Sequence, residues 1–298
     1  MVPPLVFDRS LLTARLARAE ALGPATFLID RVAEDVADRL AAVLRQFPLA
    51  VDLGTPTDAV RRVLTASGKA GDVLTVDRAI GAGIQNGLHV IADEEALPLR
   101  DASVDLVASG LSLQFVNDLP GTLIQIRRAL KPDGLFMAAL LGGETLIELR
   151  QAFAEAEAEV EGGVSPRVAP FVDVRELGAL LQRAGFAMPV TDVDRIIVRY
   201  ESVFGLMHDL RRMGATNVLI ERRRRPLRRA TLLRMAEIYM NRFADVDRRV
   251  RATFDVVWLS GWAPHESQQQ PLRPGSAQVR LADALGAKEI PAGEKAER

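Results

Sequence analysis

The sequence predicts an α/β fold, a doubly wound and mainly parallel seven-stranded sheet with a helical cap inserted before its last strand. Two observations predict it. Short, continuous apolar runs recur along the chain, as expected of strands buried on both faces of a parallel sheet. Stretches with apolar residues at helical spacing alternate with them, which places helices on both sides of that sheet. A hydrophobic content of 48% against 26% charged residues is enough to build such a core.

Residues 1–47 are expected to form an N-terminal helical segment. Within it, Pro24 to Phe47 carries Phe27, Leu28, Val32, Val36, Leu40 and Val43 at helical spacing. The core is expected over 48–200. Its first strand, Pro48-Leu-Ala-Val-Asp-Leu-Gly54, ends in an acid and a glycine, the pattern of a buried strand entering a turn. Val73 to Asp77, Leu88 to Asp93 and Ser103 to Ser109 follow as strands, then Leu119 to Leu130 as a helix and Gly134 to Leu141 as a strand. Glu144 to Glu161 reads as an acidic helix stopped by Gly162-Gly163, and Val172 to Ala184 as a helix closed by Gly185. Met188 to Tyr200 is strand-rich. Residues 201–247 are mostly helical and form the cap, while 248–262 hold the last strand, with Ala252 to Ser260 as its apolar run. Residues 263–298 form a tail rich in Gln, Pro, Gly and Ala, expected to be disordered from Gly286 onward.

Composition removes several classes of function. A net charge of −1 and a pI near 6.4 argue against a nucleic-acid partner. The absence of cysteine excludes disulfides, zinc-thiolate and iron–sulfur ligation and cysteine nucleophiles, and suits a reducing cytoplasm. The start, Met1-Val-Pro-Pro-Leu-Val-Phe-Asp-Arg-Ser10, lacks the basic region and apolar core of a signal peptide. No apolar run is long enough to span a bilayer, so membrane contact is expected to be peripheral.

In a doubly wound sheet, ligands bind at the carboxyl ends of the strands. Asp52 and Gly54 close the first strand, Asp77 the second and Asp93 the third; Leu113-Gln-Phe-Val-Asn117 follows the fourth. An acid after the second strand suits the two hydroxyls of a ribose, and one after the third suits an exocyclic amine such as that of adenine. One such acid is more often a helix cap or turn former. Three at successive strand ends favour a nucleoside site. The first loop, Asp52-Leu-Gly-Thr-Pro-Thr-Asp58, keeps only the first glycine of an Asp-x-Gly-x-Gly-x-Gly pattern. Pro56 has no N–H to donate, and Asp58 puts negative charge at a helix start, where it would repel a ligand carboxylate.

The segments Asp52-x-Gly54, Asp93-Glu-Glu-Ala-Leu-Pro-Leu99, Leu111-Ser-Leu-Gln-Phe-Val-Asn-Asp-Leu-Pro120, Leu130-Lys-Pro-Asp-Gly134 and Gly142-Gly-Glu-Thr-Leu-Ile-Glu-Leu-Arg150 resemble a class I S-adenosylmethionine (SAM) methyltransferase. More narrowly, the chain is similar to the complex I assembly factor 5 family and its alphaproteobacterial relatives. Phe7-Asp-Arg9, Gly162-Gly-x-Ser165-Pro166, Met207-x-Asp-Leu-x-x-Met-Gly214 and Gly261-Trp-x-x-His-Glu-Ser267 extend the likeness from about Phe7 to Gly286. The strand-end acids are shared by many methyltransferases; Gly-Gly-Glu-Thr-Leu and Gly-Trp-x-x-His-Glu-Ser are far more specific. The resemblance implies a cofactor site in which Asp52 and Gly54 form the first loop, Asp77 is the ribose acid and Asp93 and Glu94 are the adenine-side pair. The loop's departures predict weakened or lost SAM binding. The resemblance also implies a role in complex I assembly at the inner membrane, with a complex I subunit as partner. The family's mitochondrial member is associated with hydroxylating an arginine of the iron–sulfur subunit beside the quinone site. The family is also related to malonyl-carrier-protein methyltransferases.

Three histidines, His89, His208 and His265, lack the His-x-Asp or His-x-Glu pairing that would suit an iron-binding facial triad. His89 is expected to point into or beside the sheet, His208 to be a solvated or capping residue in a helical stretch, and His265 to lie in the family-specific tail. The run Glu221-Arg-Arg-Arg-Arg-Pro-Leu-Arg-Arg229 reads as a solvated helix end or loop, or as a dock for an acidic partner or anionic lipid. Three functions remain open: a protein modifying or holding a complex I subunit, a carrier-protein or small-molecule O-methyltransferase, and an inactive methyltransferase fold kept for binding.

Overall fold

The computed structural model describes residues 5–79, 87–269, 276, 279 and 281–288. The chain divides into two units, Met1–Pro264 and His265–Arg298. The first contains a seven-stranded sheet of order β3-β2-β1-β4-β5-β7-β6. Its strands are β1 (Phe47–Leu53), β2 (Ala70–Asp77), β3 (Leu88–Ile91), β4 (Val104–Gly110), β5 (Leu130–Gly142), β6 (Ala187–Tyr200) and β7 (Val250–Trp262). Strands β1 to β5 are mutually parallel, and β7 runs antiparallel between β5 and β6. The strand order and mainly parallel pairing match the expected doubly wound fold.

Strand β5 shows why the apolar runs are continuous. Leu135, Met137, Ala139 and Leu141 face one core, and Phe136, Ala138 and Leu140 face the other. The first core is covered by α2 (Phe27–Ala41), α3 (Ala59–Ala66), α5 (Ile147–Glu161), α7 (Val203–Arg212) and α8 (Arg229–Phe243). The second is covered by α4 (Leu119–Ala129) and α6 (Val174–Arg183). Because alternate side chains enter opposite layers, a strand in the middle of this sheet has no wet face. Helices α7 and α8 lie between β6 and β7 in the chain.

The N-terminal part contains a further helix, α1 (Arg9–Ala21), capped by the Asp8 side chain, which accepts from Leu11 N at 2.9 Å. Its buried residues are only Leu12 and Ala19, a stripe too sparse to read as amphipathic. A backbone bridge between Phe7 and Leu219, with Asp8 N donating to Val218 O at 2.8 Å, ties this segment to the chain that follows α7.

The Gly-Gly-Glu-Thr-Leu segment is a clasp between β5 and β7. Gly143, at φ +52°, passes so close to Asp255 that a Cβ would lie 2.6 Å from its Oδ2. Glu144 N donates to that oxygen at 2.9 Å, and Asp255 N donates to Thr145 Oγ1 at 3.0 Å. Burial opposes ionisation of Asp255, yet the Arg195 guanidinium and the Glu144 N–H hold its carboxyl below the ordinary range. This segment therefore has an architectural role.

In the second unit, Ser267 N donates to His265 Nδ1 at 3.2 Å within a local turn, and Leu281–Leu285 form the short helix α9. The disorder expected from Gly286 falls mostly on residues 289–298, which lie outside the described residues.

Candidate functional site

The carboxyl ends of β1, β2 and β4 open onto a cavity of about 1070 Å³. Ligand pockets commonly run from roughly 300 to 1,000 Å³, so there is room for a nucleoside and a second group. Gly54, the loop Thr55 to Asp58, Asp77, Arg78, Glu94, Ser112 and Phe115 line one side. Leu12 and Leu16 of α1, Leu28 and Ile29 of α2, and Met213 and Ala215 after α7 line the other.

The first loop is anchored by Asp52, which is 1% exposed. Thr55 Oγ1 donates to Asp52 Oδ1 at 2.5 Å and accepts from Gly110 N at 3.1 Å, pinning the loop to the end of β4. Burial is the largest cause that pushes Asp52 up to about 8. The Thr55 hydroxyl opposes the rise, the charge of Asp77 adds to it, and the Arg61 backbone N–H pulls it down. Gly54 takes φ +67° and donates its N–H to Val76 O at 2.8 Å. A Cβ there would stand 2.5 Å from Ser112 Oγ and 2.6 Å from Glu94 Oε1. This is the position in the loop that requires glycine.

The loop accommodates its non-glycine residues without positive φ at Pro56 or Asp58. The missing glycines therefore leave the backbone unstrained. What changes is chemical: Pro56 presents no N–H, and Asp58 is held by Arg62 at 3.1 Å, with Asp30 3.7 Å from the same guanidinium.

At the end of β2, Asp77 faces the cavity with His89 Nε2 3.6 Å from its Oδ2, beyond hydrogen-bond length. Burial, and then the charge of Glu94, push Asp77 up to about 7. Past β3, Asp93 and Glu94 sit in a turn and meet a cation that sequence reasoning assigned no role. The Arg9 guanidinium of α1 donates to Asp93 Oδ1 at 2.8 Å, to Phe115 O at 3.0 Å and to Glu94 Oε2. Glu95 Oε1 lies 3.8 Å away, and Ser112 Oγ donates to Glu94 Oε1 at 3.1 Å. Arg78 approaches Asp93 Oδ2 at 3.4 Å. In the sequence, Phe7-Asp-Arg9 carries only a family likeness.

The fold thus brings Gly54, Asp77 and Glu94 to one cleft, while Asp52 is buried behind the first loop and Asp93, held by Arg9 and Arg78, stands outside the cavity lining. Asn117 ties down the N-terminal segment, its Oδ1 accepting from Val6 N and Phe7 N at 2.8 Å. His208 is exposed on α7. Trp262 ends β7 beneath the Arg45 guanidinium, 5.6 Å from the ring centroid.

Residues 51–138 match a family model described as a methyltransferase domain. The chain is 40% identical over 288 residues to the arginine-hydroxylase NDUFAF5, mitochondrial, of Danio rerio, covering 93% of this chain and 89% of that one. It is also 40% identical to the human protein of the same name, over 93% and 83% of the two chains. A malonyl-[acyl-carrier protein] O-methyltransferase of Gallionella capsiferriformans is 34% identical, over 87% and 92%. Among solved structures, a methyltransferase-type protein of Bacillus halodurans superposes with a TM-score of 0.52 at 14% identity, over 78% and 98%. The YcgJ protein of Bacillus subtilis gives 0.52 at 13%, over 79% and 99%; both likenesses concern the fold. With the strand order, the strand-end cleft and near full-length identity in agreement, the chain belongs to the class I methyltransferase-fold family that includes the NDUFAF5 arginine hydroxylases and the malonyl-carrier-protein O-methyltransferases.

Proposed function

We propose that this protein binds SAM or a related nucleoside in the strand-end cleft and acts on a subunit of respiratory complex I during its assembly, modifying an arginine of that subunit. The observation that carries the reading is near full-length identity of 40% to arginine hydroxylases, joined to a cleft of matching kind. The residues fit a nucleoside. Asp77 is a cavity-lining carboxylate whose side chain accepts no hydrogen bond among the described residues, which supports its assignment to a ribose diol. Asp93 and Glu94 supply acceptors on the base side, shared with Arg9. Bound SAM would supply a methyl group activated on a sulfonium. The chain's own residues contribute binding and orientation: Gly54 keeps the loop low, Asp52 and Thr55 fix its path, and α1 closes the cavity wall. Affinity for SAM is reduced relative to a glycine-rich loop, because Pro56 lacks a donor, Asp58 adds negative charge and Arg9 competes for the acids.

Calorimetric titration with SAM and S-adenosylhomocysteine tests the cofactor. Weak saturable binding is expected, and a low-micromolar dissociation constant would show that the altered loop has not weakened the site. Deleting the gene tests the role: assembled complex I and NADH-dependent respiration should fall, with loss of a modification on the iron–sulfur subunit beside the quinone site. If assembly falls with no change in modification, the protein holds its partner without modifying it. The 34% identical carrier-protein methyltransferase motivates a second reading, which normal respiration with failed biotin synthesis would favour.

A further inference from the structure

One group of arginines is not absorbed by the cleft. Arg15 and Arg18 lie on a flank of α1, and both donate to a single acceptor, Thr216 Oγ1, at 2.5 and 3.4 Å. Arg211 at the end of α7 and Arg222 in the following chain are close enough for their charges to act on Arg15. Gly214, at φ +70°, lets the end of α7 close on α1; a Cβ there would lie 2.7 Å from Leu16 Cδ2.

The charges in this group are not balanced. Asp8 is the acid that faces them, and it already accepts from Arg222 at 3.1 Å and from Leu11 N at 2.9 Å. Among the described residues, Arg15, Arg18 and Arg211 have no carboxylate at salt-bridge distance. Other arginines of the molecule do: Arg234 meets Glu159 at 2.6 Å and Arg195 meets Asp255 at 2.7 Å. A hydroxyl oxygen offers two lone pairs, while each guanidinium carries five N–H donors. Thr216 is saturated by two of them. Arg18 Nε is buried without a partner, a donor whose acceptor is missing.

We propose that Arg15 and Arg18, which converge on Thr216, form a binding site for a phosphate-type oxyanion, with Arg222 beside Asp8 at its margin. Converging planar forks match a compact group with several oxygens, since arginine pairs with phosphate through two parallel hydrogen bonds. An extended acidic peptide would not need two guanidinium groups gathered on one hydroxyl. The site stands beside the cavity whose wall includes Leu16, Arg212 and Met213, so an anchored phosphate group would hold its carrier near the cleft mouth.

The test uses the full chain with inorganic phosphate against chloride at matched ionic strength, read by calorimetry and thermal unfolding. Phosphate should bind with roughly millimolar affinity or better and raise the unfolding temperature. Arg15→Gln and Arg18→Gln should each weaken it about tenfold, while the control Arg234→Gln leaves it unchanged. Equal responses in all four proteins would overturn the proposal. Should Arg15→Gln fail to fold, Arg15→Lys keeps the charge and loses the fork; unchanged phosphate affinity in that variant also overturns it. Sedimentation with phosphatidylglycerol vesicles, and not with phosphatidylcholine, lost in the two Gln variants, assigns the phosphate to a lipid headgroup. Phosphate binding without vesicle binding assigns it to a soluble ester. Binding of a glutamate-rich peptide with no response to phosphate refutes the site.

Discussion

Replacing Asp52 by Asn should flatten the fall of stability with rising pH. The carboxyl of Asp52 is buried and pushed up to about 8, chiefly by burial. In the unfolded chain it titrates near an ordinary value of about 4. The folded state therefore holds the proton more tightly. Stability from this group is full below about pH 4, declines as pH rises, and is lost above about pH 8. Each tenfold change in proton affinity is worth about 1.4 kcal/mol, so the stretch between about pH 6 and about pH 8 corresponds to roughly 3 kcal/mol as a ceiling. Buried sites behave as though their dielectric constant were near 20, so the wild-type protein should lose about 1–3 kcal/mol from this group over that interval. Asn cannot ionise. It keeps the acceptor for Thr55 Oγ1 but sets an amide against the Arg61 N–H, at a cost of about 1 kcal/mol at pH 6. Urea unfolding of both proteins at pH 6 and pH 8 should show the variant losing less between the two. Parallel losses would mean that Asp52 is already ionised at pH 6, and the argument from burial would fail.

If Asp77 holds the ribose diol as proposed, it accepts best when ionised, and burial pushes its carboxyl up to about 7. The affinity of the wild-type protein for S-adenosylhomocysteine should rise up to about tenfold from pH 6 to pH 8, and Asp77→Asn should bind about tenfold weaker with no such rise; a pH-independent wild-type affinity by calorimetry would remove Asp77 from the ligand. Arg9→Gln strands Glu94, whose side chain is 6% exposed, and should cost about 2–4 kcal/mol in urea unfolding. A loss below about 0.5 kcal/mol would show that the Arg9 contacts contribute nothing. Gly54→Ala forces a side chain into φ +67° and into contact with Ser112 and Glu94, for an expected loss of about 2–4 kcal/mol; Ser112→Gly in the same chain should restore part of it, and wild-type stability in the single variant would contradict the geometry.

The strands and most helices were legible because their signals are local. Alternate residues of β5 enter two different cores, so the run itself has to be apolar, and Gly162 and Gly185, both at positive φ, mark helix ends by a backbone preference that neighbours do not alter. Helix α1 was legible only as part of a helical N-terminal segment, without its bounds or its role at the cavity, since Leu12 and Ala19 are its only buried residues and its docking rests on polar contacts. The strand-end acids were visible one by one, but their environments were not. Asp52 and Asp77 reach their raised values through burial and through the charges of Asp77 and Glu94 respectively, which the fold brings beside them. Separation along the chain likewise hid the architectural role of Gly143, which depends on Asp255.

By itself, then, the sequence determined the order and type of most core elements and the acids at their ends, because hydrophobic period and turn chemistry act over a few residues. Tertiary structure alone decided which charges meet. Arg9 reaches Asp93 across 84 positions and Phe115 across 106, and Arg15 reaches Thr216 across 201. A guanidinium selects its acceptor by distance and desolvation, and neither exists until the chain has closed on itself.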